Sequence, residues 1–163
     1  LGQIELMREY GTEGKLGKWA LGQKAVLVLD GTLYVHAGIS PKYLSWSEGR
    51  INDAVKSELM DAKAPPADGA VRGEDGPLWY RGLAQLPETE IAAHVDAVLE
   101  KFKVKRIIVG HTPQRQGVVS RLKGKVLLAD VGLAKVFGGA MACVVIENGE
   151  AYALQDGKKK ELS

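Results

Sequence analysis

"KRIIVGHTPQ", residues 105–114, starts as an apolar strand and ends on a histidine followed by threonine and proline. The design occurs earlier too, in "GTLYVHAGISP", residues 31–41, where β-forming residues again lead to a histidine, a glycine and a proline. Two of the chain's three histidines, His36 and His111, therefore stand at equivalent places. A strand end running into a loop is where an α/β sheet presents functional groups to a crevice. One reading of the pair is a shared site; the other is a satisfied core or turn histidine at each place. If both ligate one ion, each ring nitrogen lies about 2.1 Å from it, so the two nitrogens approach to roughly 3–4 Å. That requires the two strands to run side by side, or one strand apart, with their tips on the same side of the sheet.

Outward from these strands the chain alternates between β and α patterns. Residues 3–10 and 15–21 read as short helical pieces broken by "GTEG". "AVLVLDGTLYVHAG" places two β-rich runs around Asp30-Gly31, a pair suited to the positive φ values of a tight hairpin. After Pro41, Ile51, Val55 and Leu59 recur at helical spacing, which predicts a helix over about 47–61, with Ser45 and Glu48 resembling a capping box. Residues 63–77, "KAPPADGAVRGEDGP", carry no apolar period and read as a loop. "PETEIAAHVDAVLEKFKV" then sets Ile91, Val95, Val98, Leu99 and Phe102 on one helix face, with His94 at its edge as a surface histidine and not a ligand. The last third is β-rich, with hairpin turns at Asn148-Gly149 and Asp156-Gly157. Helices mixed with such strands indicate an α/β layer protein with a mixed sheet.

Composition narrows the function classes. A chain of 163 residues with 45% hydrophobic content supports one compact domain with its own core. The net charge of +2 is nearly balanced and its basic residues are scattered, apart from Lys158, Lys159 and Lys160, so no nucleic-acid partner is expected. Cys143, the single cysteine, excludes a disulfide framework and reads as a buried, inert thiol. No apolar run approaches membrane-spanning length, and no membrane partner is expected. The sequence opens without a methionine, which leaves targeting unreadable, with a cytoplasmic location favoured.

Two further residues carry candidate chemistry. Arg81, in "GPLWYRG", would grip two phosphate oxygens with its planar fork, or serve a cation–π or surface role beside Trp79 and Tyr80. Asp130 ends the apolar run "KVLLAD" and suits either a carboxylate orienting a histidine or a turn aspartate bonding its own backbone.

Taken in order, "LYVHAGISP", "INDAVKSEL", "GPLWYRGLA", "IIVGHTPQ" and "LLADVGLAKVFGG" resemble the C-terminal half of the calcineurin-like metallophosphoesterases. Within the phosphoprotein phosphatase superfamily they are most similar to the bacterial Shewanella-like branch. The resemblance runs from about residue 10 to residue 154. It implies mixed β-sheet layers with flanking helices, the C-terminal half of a four-layer metallophosphoesterase fold, with residues 1–163 forming part of one such domain. It implies a metal-dependent phosphomonoester hydrolase in which metal-bound water or hydroxide attacks the phosphate directly, helped by two divalent ions: manganese, iron or zinc. His36 and His111 would be metal ligands, and Arg81 would hold the substrate phosphate.

The family's other motifs, G-D-x-H-G, G-D-x-x-D-R-G and G-N-H-E, do not occur in the chain. They supply the remaining metal ligands and the acid that assists the leaving group, and the resemblance puts them upstream of Leu1. The expectation is therefore an inactive fragment, depleted of metal, prone to self-association or to complementation by the N-terminal half. Substrates would be a phosphorylated protein or a small phosphoester, with dinucleoside polyphosphates as a further enzyme class. A non-catalytic binding or regulatory module retaining the half-fold is the alternative from outside enzymology.

Overall fold

The computed structural model describes residues 2–61 and 64–162. Two short helices come first, α1 (Gln3–Tyr10) and α2 (Lys15–Leu21), followed by the strands β1 (Val26–Leu29) and β2 (Thr32–Val35). Next are α3 (Glu48–Met60), α4 (Gly82–Gln85) and α5 (Glu88–Phe102). Then follow β3 (Arg106–Val109), β4 (Val119–Arg121), β5 (Val126–Leu128), β6 (Ala142–Glu147), β7 (Glu150–Gln155) and β8 (Lys158–Glu161). Among the described residues the strands form a five-stranded sheet ordered β1-β2-β3-β5-β4 and a three-stranded sheet ordered β6-β7-β8. The larger sheet is mixed: β2, β3 and β5 run parallel, while β1 and β4 close its edges antiparallel. The α/β architecture matches the pattern of the sequence.

Turn chemistry explains the hairpins. Asp30 and Gly31 have φ values of 48° and 71°, Asn148 and Gly149 of 52° and 82°, and Asp156 and Gly157 of 49° and 75°. Both central residues in the left-handed region is the twist that two-residue hairpins favour. Ser47, not Ser45, caps α3. It has the extended backbone that precedes a first helical residue, and its hydroxyl accepts from the Arg50 amide at 3.2 Å.

The pleat decides which face is buried. Strand pairing puts Val26, Leu33, Val35, Ile107, Val109, Val126 and Leu128 on one face. There they meet Ile51 and Val55 of α3 and Ile91, Val95 and Val98 of α5 in one core. Leu27, Tyr34, Ile108 and Leu127 lie on the opposite face. The smaller sheet covers only part of it, packing Ala153 and Leu162 against Leu127, Val118 and Val131. An open groove of about 790 Å³ is left between Tyr34 and Ile108 on one wall and Cys143, Val144 and Ile146 on the other. Cys143 is accordingly exposed and not buried as expected, because β6 is the edge strand of the smaller sheet and the thiol looks out beside that groove. No helix among the described residues is long and apolar enough to cross a membrane.

Candidate active site

The site is built on the register of β2 against β3. These neighbours run parallel with Val35 opposite Val109, so their ends reach the same level of the sheet. His36 follows directly, and the Gly110 amide donates to the His36 carbonyl at 2.8 Å, carrying the ladder one step further. His111 then takes φ 62°. That is the left-handed region, costly for a residue with a Cβ, and it turns the chain sharply off the strand. The two rings meet: His36 Nε2 lies 3.1 Å from His111 Nδ1, and the ring centroids are 4.9 Å apart. This is the side-by-side placement that a common ion requires.

The surroundings of His111 bias its charge. Burial, then the Arg81 guanidinium and His36, lower its pKa, while the Asp130 charge acts the other way. A neutral imidazole keeps a lone pair available to an electrophile. Its Nε2 is buried and has no hydrogen-bond partner among the described residues. The edge of the Trp79 indole stands over the His111 ring at 5.1 Å, and Trp79 is itself fixed by donating Nε1–H to the Val71 carbonyl at 2.8 Å.

Arg81 reaches the same place from another element. It precedes α4, and Nη1 donates to the His111 carbonyl and to Thr112 Oγ1, each at 3.0 Å. No cation–π contact to Trp79 or Tyr80 is involved in those bonds. The described part of the loop leading to Arg81 is fastened at several points. The Glu58 carboxylate accepts from both the Ala70 and Val71 amides at 2.8 Å, and the Ser40 hydroxyl donates to the Asp75 carbonyl at 2.8 Å. The Ala37 amide, one residue beyond His36, donates to the Pro77 carbonyl at 3.0 Å.

Asp130 follows β5 at the same sheet edge, and its Oδ1 accepts from the Gly132 amide at 3.0 Å. That is the turn geometry; its influence on His111 is through charge. His94 corrects the sequence reading of a surface histidine. It is half-buried, its Nε2 lies 2.7 Å from the Ile39 carbonyl, and its ring stands edge-on to Tyr80 at 6.5 Å. The helix face it borders is pressed against the loop that follows His36, which the period of α5 alone does not reveal. Sequence reasoning named Trp79 only as a neighbour of Arg81 and missed its contact with His111; it also missed Thr112, which follows His111, and Arg121, which carried no signal at all. Among the described residues there is no group of three or more His, Cys, Asp or Glu that would hold a metal ion.

Two histidines thus abut at parallel strand ends of an α/β layer fold, with an arginine bonded to the turn of one. Known structures share this fold. The chain superposes on a point mutant of a cold-active protein tyrosine phosphatase with TM-score 0.81 and 28% identity, over 94% of this chain and 47% of that one. The cold-active protein-tyrosine phosphatase of a psychrophilic Shewanella species gives 0.79 and 26%, with the same coverage. In sequence, the chain is 34% identical over 153 residues to an uncharacterized protein of Schizosaccharomyces pombe, covering 90% of this chain and 46% of that protein. It is 28% identical over 115 residues to Shewanella-like protein phosphatase 2 of Arabidopsis thaliana, covering 69% of this chain and 29% of that one. No protein-family model matches. The chain is thus similar, in sequence and in fold, to Shewanella-like protein phosphatases, and it spans about half the length, or less, of these relatives.

Proposed function

We propose that this chain provides the C-terminal part of the active site of a calcineurin-like, metal-dependent phosphomonoester hydrolase. The observation that carries the reading is the 3.1 Å approach of His36 Nε2 to His111 Nδ1 at adjacent strand ends, with Arg81 bonded to the His111 turn.

The residues fit a divalent ion of the manganese, iron or zinc type as two of its ligands. Both donors are imidazole nitrogens, His36 Nε2 and His111 Nδ1 lying 3.1 Å apart, and His111 is biased towards its neutral form. Such ions take about four or more donors, so the others come from residues outside this chain. Bound ions would set positive charge against the phosphate oxygens and acidify a water molecule. The chain's own contribution is orientation. Arg81 Nη1 is committed to the His111 turn, which leaves the other three N–H groups of the fork to hold phosphate oxygens. Trp79, half-exposed beside His111, forms an apolar wall next to the bound phosphate. Phosphotyrosine is the first substrate to try, because the structural neighbours are tyrosine phosphatases.

The test uses the complete protein that carries this chain, p-nitrophenyl phosphate, added manganese and a chelator. Turnover that requires metal, is abolished by chelation and falls to background with His111→Ala is expected, and the 163-residue chain alone is expected to be inactive. Turnover insensitive to chelation, or robust turnover by the 163-residue chain, would show the reading to be wrong.

A further inference from the structure

We propose that Arg121 is a positioning residue for Arg81: from the edge of the sheet it holds the short helix that begins at the phosphate-gripping arginine. The proposal rests on the reading of Arg81 given above. Arg81 is the residue before α4, and its carbonyl accepts from the Ala84 and Gln85 amides at 3.0 and 2.9 Å. A helix of four residues does not persist by itself, because nucleation costs more than one or two bonds return. Its end is worse off still, since the Leu83 carbonyl would look to the amide of residue 87, a proline without an N–H.

Arg121 supplies the missing donors. Nη1 donates to the Leu83 carbonyl and Nη2 to the Leu86 carbonyl, each at 2.5 Å, with Glu88 Oε1 3.8 Å from Nε. The Arg121 side chain is 12% exposed, so its charge-assisted bond to the Leu83 carbonyl is shielded from water, while the bond to the exposed Leu86 lies at the surface. Glu88 also accepts from the Leu122 amide at 2.9 Å, which fastens the start of α5 to the same strand end. Arg121 belongs to β4, β4 pairs with β5, and β5 pairs with β3, the strand that delivers His111. Arg81 and His111 are thus referred to one sheet, the first through the Arg121 fork and the second through its own strand. Arg121 is not itself placed against the phosphate.

The experiment compares Arg121→Met, Arg121→Lys, Arg81→Ala and the double variant Arg81→Ala/Arg121→Met in the complete protein. It reads the inhibition constant of inorganic phosphate, KM and kcat for p-nitrophenyl phosphate, and metal content. Arg121→Met is expected to weaken phosphate about tenfold with metal content unchanged, since misplacement of a binding group costs roughly ten- to a hundredfold. Arg121→Lys, which keeps the charge and one donor at a time, is expected to lie between. In the Arg81→Ala background the Arg121 change is expected to have no further effect on phosphate, because its route is gone. Phosphate affinity untouched by both Arg121 substitutions overturns the proposal, and so does a full additional loss in the double variant, which would mean a general structural role. If Arg81→Ala leaves phosphate affinity unchanged, the reading of Arg81 itself has failed, a result distinct from the other two. Should Arg121→Met not fold, Arg121→Lys alone and in the Arg81→Ala background decides the matter by the same criteria.

Discussion

Arg81 is half-buried and committed through Nη1 to His111 and Thr112, so its fork is preset before any substrate arrives. On the reading proposed above, removing it takes away a contact that strengthens as charge builds on the phosphate. Arg81→Ala is expected to lower kcat/KM roughly a hundredfold or more, on the order of 3–4 kcal/mol, with metal content unchanged, and lysine should recover only part. Steady-state kinetics beside metal analysis checks this; near-normal activity would assign the phosphate contact elsewhere. The histidine pair was legible in the sequence because strand, histidine and glycine form a local pattern, and parallel register then does the rest. Arg81 was ambiguous, since an arginine after two aromatics reads equally well as a stacking partner. Arg121 and His94 were illegible as site-shaping residues. Their partners, the Leu83 and Leu86 carbonyls and the Ile39 carbonyl, are distant in sequence and belong to the backbone, which leaves no side-chain signature.

At the scale of elements, the edge strand β1 is secured by a helix side chain. Asn52 of α3 donates Nδ2–H to the Val26 carbonyl at 2.8 Å and accepts from the Val26 amide at 2.9 Å. Val26 is fully buried, so Asn52→Ala would strand two backbone groups away from water. Each such group costs about 1–3 kcal/mol, and the variant is expected to lose roughly 2 kcal/mol or more. Asn52→Asp, which keeps the acceptor and loses the donor, should fall between. Urea denaturation measures both, and a loss below 0.5 kcal/mol for Asn52→Ala, on the order of an ordinary surface substitution, would mean the edge is held by β2 alone. The elements themselves were largely readable, from apolar period in α3 and α5 and from turn pairs in the hairpins. That the strands divide into two sheets came only through the family resemblance, with its mixed β-sheet layers, and not from local pattern. Hairpin signals specify neighbours in sequence, whereas the stacking of β6-β7-β8 over Leu127 depends on contacts between Val118, Ala153 and Leu162, which no local pattern encodes.

At the scale of the whole molecule, one group of uncovered apolar residues falls together. Leu133, Val136, Phe137 and Met141 are each more than half exposed, and Leu133 and Met141 line a recess with Cys143 and Leu154 on the smaller sheet. Leu133 and Phe137 also border the groove between the sheets, whose other lining includes Tyr34 and Ile108. Soluble monomers rarely show contiguous apolar surface beyond a few hundred Å², and burial returns about 25 cal/mol per Å². The 163-residue chain is therefore expected to associate with itself in a concentration-dependent way, seen as a rising mass by light scattering and as strong binding of an apolar dye. Leu133→Glu with Phe137→Glu places two like charges on this surface and should shift the equilibrium towards monomer. Neither residue touches His36, His111 or Arg81 in a described hydrogen bond, so the geometry of the histidine pair should survive the change. A chain that stays monomeric at high concentration and binds little dye would show that this surface does not drive association.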